Sequence, residues 1–545
     1  MSEISKLNGY DLKDKKAIRS YDTVALMVAD ETIKEGQHIK TKGYYSVNDG
    51  GMAYYNITDT EDQYKHQETL SNGLYATLIV EDHANILQFG AKGDGINDDS
   101  QYFIYAISNN KTIYIPEGTY LISNSIDLLS KDIEIYGTSN TLIISDSSDI
   151  FIKTTNIGYV NIHDLTFNVS NEYSAIKYDS TVDIQTSTNS IRINNCRFFG
   201  ISKDSLSTAI YLDGVYNPII SDCFFNKINA IYQELSINAS INNCTFRECN
   251  YAINFNGIGA TASSCGNKIV GCDFTECNVG VKAITTDWID ISSCIIDYCL
   301  YPIILLGQEY GTITNTYMSA KNGNPVLYIN KDLTNENIYL NGNDSNNTSK
   351  SIVVSNCFIS NNLEIDYSTS NPNLSADNII VTCSWFTMND CTVDNYSRNG
   401  INLINCNNVI IKHTRFNKTI KYTPLNDVYS IYGTTNNDNV NYDLANFNFL
   451  GIITSDTISR YYANINMTKT NVLVDEKYGY AVITAGTTSV NINTGLHNPI
   501  KNIQLTTSAN TKVFYSNVSQ DGTSFTVNIS DSFEYPVQVS WLVKG

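Results

Sequence analysis

The stretch LQFGAKGDGINDDSQYFIYAISNNKTIYIPEGTYLI, from Leu87 to Ile122, sets a capped helix directly before a β-strand. Gly90, Gly93 and Gly95 permit a tight polar turn, and Asp98, Asp99 or Ser100 can accept the free amide hydrogens of a helix start. Phe103, Ala106 and Ile107 then share one face of a helix near 98–108. After it, TIYI, PEG and TYLI read as strand, corner and strand, with Pro116 and Gly118 marking the corner. A short helix closing one end of a stack of strands is what a solenoid needs, because uncovered strand edges invite association.

Working outward, a short apolar pair recurs: Ala175-Ile176, Ala209-Ile210, Ala230-Ile231, Ala252-Ile253, Gly280-Val281 and Pro302-Ile303, at steps of 34, 21, 22, 28 and 22 residues. A basic period of 21 to 22 residues with two insertions fits a coil of three short strands and three turns. Each coil adds a second alternating strand, as in IRINNCRFF, IISDCFF, SINNCTF, KIVGCDF and DISSCII. The period blurs between Ser319 and Lys350, read as an insertion or longer coil, returns in SIVVSNCFISNNLEI, and fades near Tyr422. A last segment of short alternating strands, YAVITA to VSWLVKG, reads as a β-sandwich.

With the repeat in place, residues 86 to 123 resemble the start of the pectate-lyase-like right-handed β-helix of phage tailspikes and polysaccharide depolymerases, where FGAxGDGxxDDxxAIxxAI followed by IPxGxY recurs. The departure is Gln101-Tyr102-Phe103-Ile104 in place of an alanine-rich helix, which touches helix packing and not the fold. GQHIKTKGYYSVNDGGMAYYNI, Gly36 to Ile57, resembles the small module that precedes such helices, and SFTVNIS with VSWLVKG resembles the terminal domains of tail fibres. The expected fold is all-β: an N-terminal virion-attachment module over 1–84, a right-handed parallel β-helix over 85–427, a linking segment over 428–470, and a C-terminal β-sandwich over 471–545 for trimerisation or sugar binding.

Composition narrows the partners. The 545 residues are too many for one ordinary core, and 8 prolines, 17% charged residues and 38 tyrosines suit a solenoid whose aromatic side chains line outer faces. A net charge of −20, from 35 Lys plus Arg against 55 Asp plus Glu, makes nucleic acid a poor partner. No membrane-spanning run and no signal peptide is read in the sequence; the resemblance implies a phage virion protein released by host lysis and acting at the bacterial surface.

Of the 13 cysteines, Cys244, Cys272 and Cys294 have partners five residues on, at Cys249, Cys277 and Cys299. In the two preceding coils Cys196 and Cys223 keep the first position while Ile201 and Ile228 hold the second. A position that accepts Cys or Ile is a buried apolar slot, so free thiols stacked inside the coil are expected rather than disulfides or zinc. No cofactor is expected; calcium would need several oxygens around one point, for which a column of carboxylates offers a possibility but no motif.

Candidate chemistry follows from the register. One residue past the apolar pair stand Lys177, Tyr211, Tyr232, Asn254, Lys282 and Ile304; three residues past it stand Asp179, Asp213, Glu234, Asn256, Ile284 and Leu306. These become two columns on one sheet face, with Asp179, Asp213 and Glu234 on successive coils about 4.8 Å apart. Crowded carboxylates raise one another's proton affinity, which makes a general acid; a retaining glycosidase wants its carboxyl pair about 5 to 5.5 Å apart, which neighbouring coils match, and an inverting one about 6.5 to 9.5 Å, which alternate coils approach. Asp213 and Glu234 are therefore the leading catalytic pair with Asp179 beside them; Tyr211 and Tyr232 offer faces to sugar rings, Asn254 and Asn256 offer hydrogen bonds, and Lys282 is the base a lyase would need. The alternative is a solvated strand on which acids recur by chance. Asp287 and Asp290 beside Trp288, and Glu309 in GQEYG, are further candidates for substrate contact.

The expected function is a homotrimeric tail spike that binds and depolymerises a bacterial cell-surface polysaccharide, joined to the phage tail or baseplate by its N-terminal module. The rivals are a non-catalytic receptor-binding spike recognising wall sugar or teichoic acid, and a phosphodiesterase acting on teichoic acid. The acidic balance favours a neutral or amino-sugar polymer.

Overall fold

The computed structural model describes residues 18–179, 190–330, 349–417 and 429–544, less 64, 155–157, 171, 205, 258–263, 322, 363–376, 397–398, 405, 434–437, 444–445, 448–451, 455–457, 461–464, 468–475, 494–501 and 520–523. Three long sheets of 14, 16 and 14 strands run side by side, and the chain visits them in rotation. The solenoid is a right-handed parallel β-helix, the hand that right-twisted parallel strands favour. We number the sheets by their place in a coil. Sheet 1 carries the apolar pair, as in Thr208–Asp213; sheet 2 follows, as in Ile219–Ser221; sheet 3 completes the coil, as in Phe224–Asn226.

The corner between sheets 2 and 3 has a residue preference of its own. One residue per coil turns there in the left-handed conformation: Asp164, Asn195, Asp222, Asn243, Gly271, Ser293, Asn315, Asn356, Asp390 and His413. Asn, Asp and Gly enter that region most cheaply, so they mark the corner in most coils. The residue after the corner points inward into limited space, and Cys196, Cys223, Cys244, Cys272, Cys294, Cys357 and Cys391 occupy it, all buried. On sheet 3, Phe167, Phe198, Phe225, Phe246 and Phe274 stack inside with centroids 5.0, 5.0, 4.9 and 4.7 Å apart, so the expected outer-face aromatics share the molecule with an interior ladder.

Three expectations change. Ile201 is 68% exposed whereas Ile228 is buried; the chain leaves the coil after Phe199 before rejoining sheet 1 at Thr208, so Ile201 never enters the thiol slot. Tyr429–Gly433, Asp438–Asp443, Asn446–Phe447 and Ile452–Thr454 pair in parallel with the preceding coils, which carries the three sheets past 427 into the stretch read as a link. The N-terminal module is a five-stranded sheet with a short helix, Val24–Val28, and it does not end in a packing break at 84. Met27, Tyr55 and Leu70 share one apolar core with Phe89, Phe103 and Ile113, and the Tyr45 hydroxyl donates to the Gly90 carbonyl at 2.6 Å. Residues 331–348 of the expected insertion lie outside the described residues.

The closing helix spans Ser100–Asn109 and buries Ser100, Phe103, Ala106 and Ile107. Its start is held by Asp98, which accepts from the Ser100 amide at 3.0 Å, while Asp99 turns back to the glycine loop and accepts from the amides of Lys92 and Gly93 at 2.7 and 3.1 Å. At the other end, Glu476–Ile483, Asn502–Thr507 and Val537–Lys544 form one antiparallel sheet, and Ser489–Asn493, Val513–Ser516 and Ser524–Ile529 another. The two enclose a separate core around Phe525, Val527 and Val539, a β-sandwich.

Candidate active site

Alternation along each strand sends one residue in two outward, and the inward partners on sheet 1, from Ile210 to Ile303, fix the phase. The register pairs Lys177 with Tyr211, Tyr211 with Tyr232, Tyr232 with Asn254 and Asn254 with Lys282. Two residues on, Asp179 pairs with Asp213, Asp213 with Glu234, Glu234 with Asn256 and Asn256 with Ile284. Both columns therefore lie side by side on the outer face of sheet 1, and each side chain is half-buried by its neighbours except Ile284, which is buried.

Within this patch the two leading carboxylates have different surroundings. Burial, then the charges of Glu234 and Asp179, push Asp213 up to about 6 from its ordinary 3.8. Glu234 instead receives a donor: the Tyr232 hydroxyl gives its proton to Oε2 at 3.1 Å, and Asn256 Nδ2 donates to the Tyr232 oxygen at 3.0 Å. This relay orients Glu234 as an acceptor. Burial, with the nearby Glu234 charge, also raises both the Tyr211 and Tyr232 phenols, so both rings stay neutral. The rings stack with centroids 5.1 Å apart at 12°, and Lys177 Nζ lies 5.7 Å from the Tyr211 centroid and 3.4 Å from the Asp149 carboxylate. At the far edge Lys282 Nζ lies 5.5 Å from the Tyr251 ring.

The remaining candidates stand elsewhere. Asp287, Trp288, Asp290 and Glu309 are on sheet 2, where Asp287 pairs with Glu309 and Glu309 with Lys350, so they do not join the carboxylate column of sheet 1. Glu309 begins the strand Glu309–Thr314 rather than sitting in a glycine turn, and its Oε1 accepts from Lys350 Nζ at 2.6 Å. Asp290 accepts from Thr312 at 2.7 Å. Two residues on the same sheet as Trp288 escaped the sequence reading: Tyr310, which lies opposite Trp288 between the pairs Asp287–Glu309 and Ile289–Gly311, and Trp385, at the equivalent position two strands beyond Tyr310. The available signal was spacing, since Trp288, Tyr310 and Trp385 each stand six residues before a corner-slot residue, Cys294, Thr316 and Cys391. Among the described residues no group of three or more His, Cys, Asp or Glu side chains could hold a metal ion, and no helix is long and apolar enough to cross a membrane.

Comparison with known proteins matches residues 83–282 to the family described as rhamnogalacturonase A/epimerase, pectate lyase-like. The pre-neck appendage proteins of Bacillus phages PZA and phi29 are each 35% identical over 68 residues, 11% of this chain; the match spans 8% of the length of those relatives. Among solved structures, the tailspike protein gp49 of Acinetobacter baumannii bacteriophage Fri1, a capsular polysaccharide depolymerase, is 11% identical over 97% of this chain and 98% of its own, with a TM-score of 0.42. The Streptococcus pneumoniae surface adhesin PfbA is 14% identical over 62% of this chain and 97% of its own, with a TM-score of 0.41.

Proposed function

We propose that this chain is a phage tail spike that binds and cuts a bacterial surface polysaccharide by hydrolysis, with Asp213 as general acid and Glu234 as its carboxylate partner. The observation that carries the reading is the split between two in-register carboxyl groups: one held protonated up to about pH 6, the other aligned by a tyrosine hydroxyl. A carboxyl that holds its proton, set beside a second carboxyl on the neighbouring strand, supplies the working parts of glycoside hydrolysis. Neighbouring strands stand about 4.8 Å apart, a spacing that suits direct attack by Glu234 and retention of configuration.

In this scheme the stacked Tyr211 and Tyr232 rings present an edge against which a sugar ring packs, and Asn254, Asn256 and Lys282 extend the polar surface along the helix axis. Asp213 gives its proton to the glycosidic oxygen as the bond breaks. Glu234 attacks the anomeric carbon, and water later releases the sugar with Asp213 now accepting a proton. Asp179 acts through Asp213, its negative charge helping to keep that carboxyl protonated. The pectate-lyase-like match supports a saccharide substrate, and the likeness to phage appendage proteins supports a place on a virion. In this reading the N-terminal module points toward the tail and three copies form one spike.

The test is incubation of the intact chain with capsule, exopolysaccharide and teichoic acid panels, followed by size and mass analysis of the products. The expected result is shortened polysaccharide from the wild type and intact polymer from Asp213→Asn and Glu234→Gln. Full cleavage by both variants sinks the carboxylate pair; no cleavage by the wild type of any polymer it binds sinks hydrolysis altogether.

A further inference from the structure

Sheet 2 holds a second column of left-handed residues, six positions before the corner slot in the eight successive coils from Asn217 onward: Asn217, Asn238, Gly266, Trp288, Tyr310, Ser351, Trp385 and Asn408, with φ of 52° and 72° for Asn217 and Gly266 and 54°, 56° and 67° for Trp288, Tyr310 and Trp385. The kink is therefore a property of the coil. Asn and Gly adopt it at little cost, whereas a bulky aromatic there is an outlier. The kink does not require a ring, as Asn217, Asn238 and Gly266 show. Packing does not require one either, since Trp288, Tyr310 and Trp385 are 64%, 51% and 59% exposed. A residue that breaks a local rule with no folding gain points to function.

The rings are also open. Aromatic pairs on adjacent coils elsewhere range from nearly flat, Tyr211 with Tyr232 at 12° and Tyr317 with Phe358 at 10°, to tilted, Tyr114 with Tyr136 at 35° and Phe199 with Phe224 at 51°. Trp288 and Tyr310 meet edge to face at 74° with centroids 6.2 Å apart, so neither covers the other. Beside them Asp287, Glu309 and Lys350 stand in register, and Ser351 interrupts the aromatic run. Cores of protein–protein interfaces are depleted in Asp, Glu and Lys, so this mixture does not suit a second copy of the chain. It suits a sugar, whose C–H face packs on an aromatic ring while its hydroxyls bond to carboxylate and ammonium groups.

We propose that Trp288, Tyr310 and Trp385 form an aromatic track that holds a polysaccharide along the helix axis, a binding site on sheet 2 separate from the carboxylate column of sheet 1. The inference rests on the polysaccharide reading above and adds a place where the polymer is held without being cut. Trp288 and Trp385 are three strands apart, about 14 Å, so a chain of several sugar units is needed to touch both.

The chain has 3 tryptophans, and the third, Trp541, packs on Phe525 in the C-terminal sandwich. Tryptophan fluorescence therefore reports mainly on the track. Full-length wild type is run by affinity electrophoresis through gels containing purified capsular polysaccharides, and quenching by acrylamide is measured with each. The expected result is that a retaining polymer protects the wild type from quenching. The double variant Trp288→Asn with Trp385→Asn should lose at least ~10-fold in retention while melting at or above the wild-type temperature, and Trp288→Phe with Trp385→Phe should recover most of the retention. Wild-type retention by the Asn pair, absence of protection by a retaining polymer, or retention of the wild type by no polymer overturns the track. So does a smaller assembly of the Asn pair by light scattering, which would make this face a contact between copies. A wild type that is retained and protected but cuts nothing removes the carboxylate pair and leaves the track standing.

Discussion

The coils that carry Tyr211, Tyr232 and Asn254 on sheet 1 and those that carry Ile304, Tyr328 and Ile380 share one backbone design and differ in their outer face. In both sets an inward apolar ladder runs on unbroken, through Ile210, Ile231, Ile253, Val281, Ile303 and Leu327. Outside, the acid column Asp179, Asp213, Glu234 and Asn256 gives way to Ile284 and Leu306, 6% and 8% exposed, which join Val279, Ile304, Tyr328 and Ile380 in a second buried apolar cluster. The inner face of a solenoid thus specifies the stack, and the outer face is free to carry chemistry on some coils and packing on others.

Matched substitutions on the two sides should break the comparison most sharply. Asp213→Asn or Glu234→Gln is expected to lower polymer cleavage by roughly 10² to 10⁴ and leave melting nearly unchanged, as general acid–base groups do. Ile304→Ala is expected to cost about 2 to 5 kcal/mol in stability and to spare cleavage at temperatures where the variant is folded. Chemical denaturation alongside product sizing reads both; a stability loss in the acid variants with an activity loss in Ile304→Ala would dissolve the division.

A second contrast lies inside the coils that carry the carboxylate column. Gln233 points inward between Leu212 and Phe255, is fully buried, and neither its Nε2 nor its Oε1 has a hydrogen-bond partner among the described residues. An unpaired buried amide costs roughly 1 to 3 kcal/mol, so Gln233→Leu should stabilise the chain by about that much in urea unfolding. No gain would mean that the amide is satisfied.

Acidity sharpens the same point. Because Asp213 is raised to about 6 in the folded chain, its protonated form is favoured by folding. That contribution is fully present below the unfolded value near 4 and is lost as pH rises through about 6. Wild type should therefore lose stability relative to Asp213→Asn over that window, by at most ~1 to 2 kcal/mol after solvent screening, and cleavage should fall off on its alkaline limb above about pH 6. A pH-independent difference between the two proteins, measured by melting from pH 4 to 8, contradicts this. The smallest effect is expected on sheet 2, where Trp288→Asn should stabilise by up to ~1 kcal/mol by relieving a left-handed aromatic.

The columns of sheet 1 were legible because the pair Ala209-Ile210 and its equivalents mark both phase and period, and inward alternation does the rest. The corner thiols were legible for the same reason. The left-handed column was not, because its kink is a backbone event and Trp288 reads in sequence as one member of an alternating strand. Ile201 misled because a residue can keep its interval from Cys196 after the chain has left the coil. The shared core of the N-terminal module was hidden because Met27, Tyr55 and Phe103 come together only through the fold. The split between Asp213 and Glu234 needed a hydroxyl, Tyr232, whose direction no spacing reveals.

The stacked cysteines make the molecule its own clock. All 13 are unpaired, 12 of them buried and only Cys265 partly open, and they are spread from Cys196 to Cys406 along the solenoid. A thiol reagent added to the native protein therefore meets one group at once and the others only when their own coil parts from its neighbours. Because each coil leans on the next, the order in which those thiols react would trace where the helix comes undone first and how far each opening spreads.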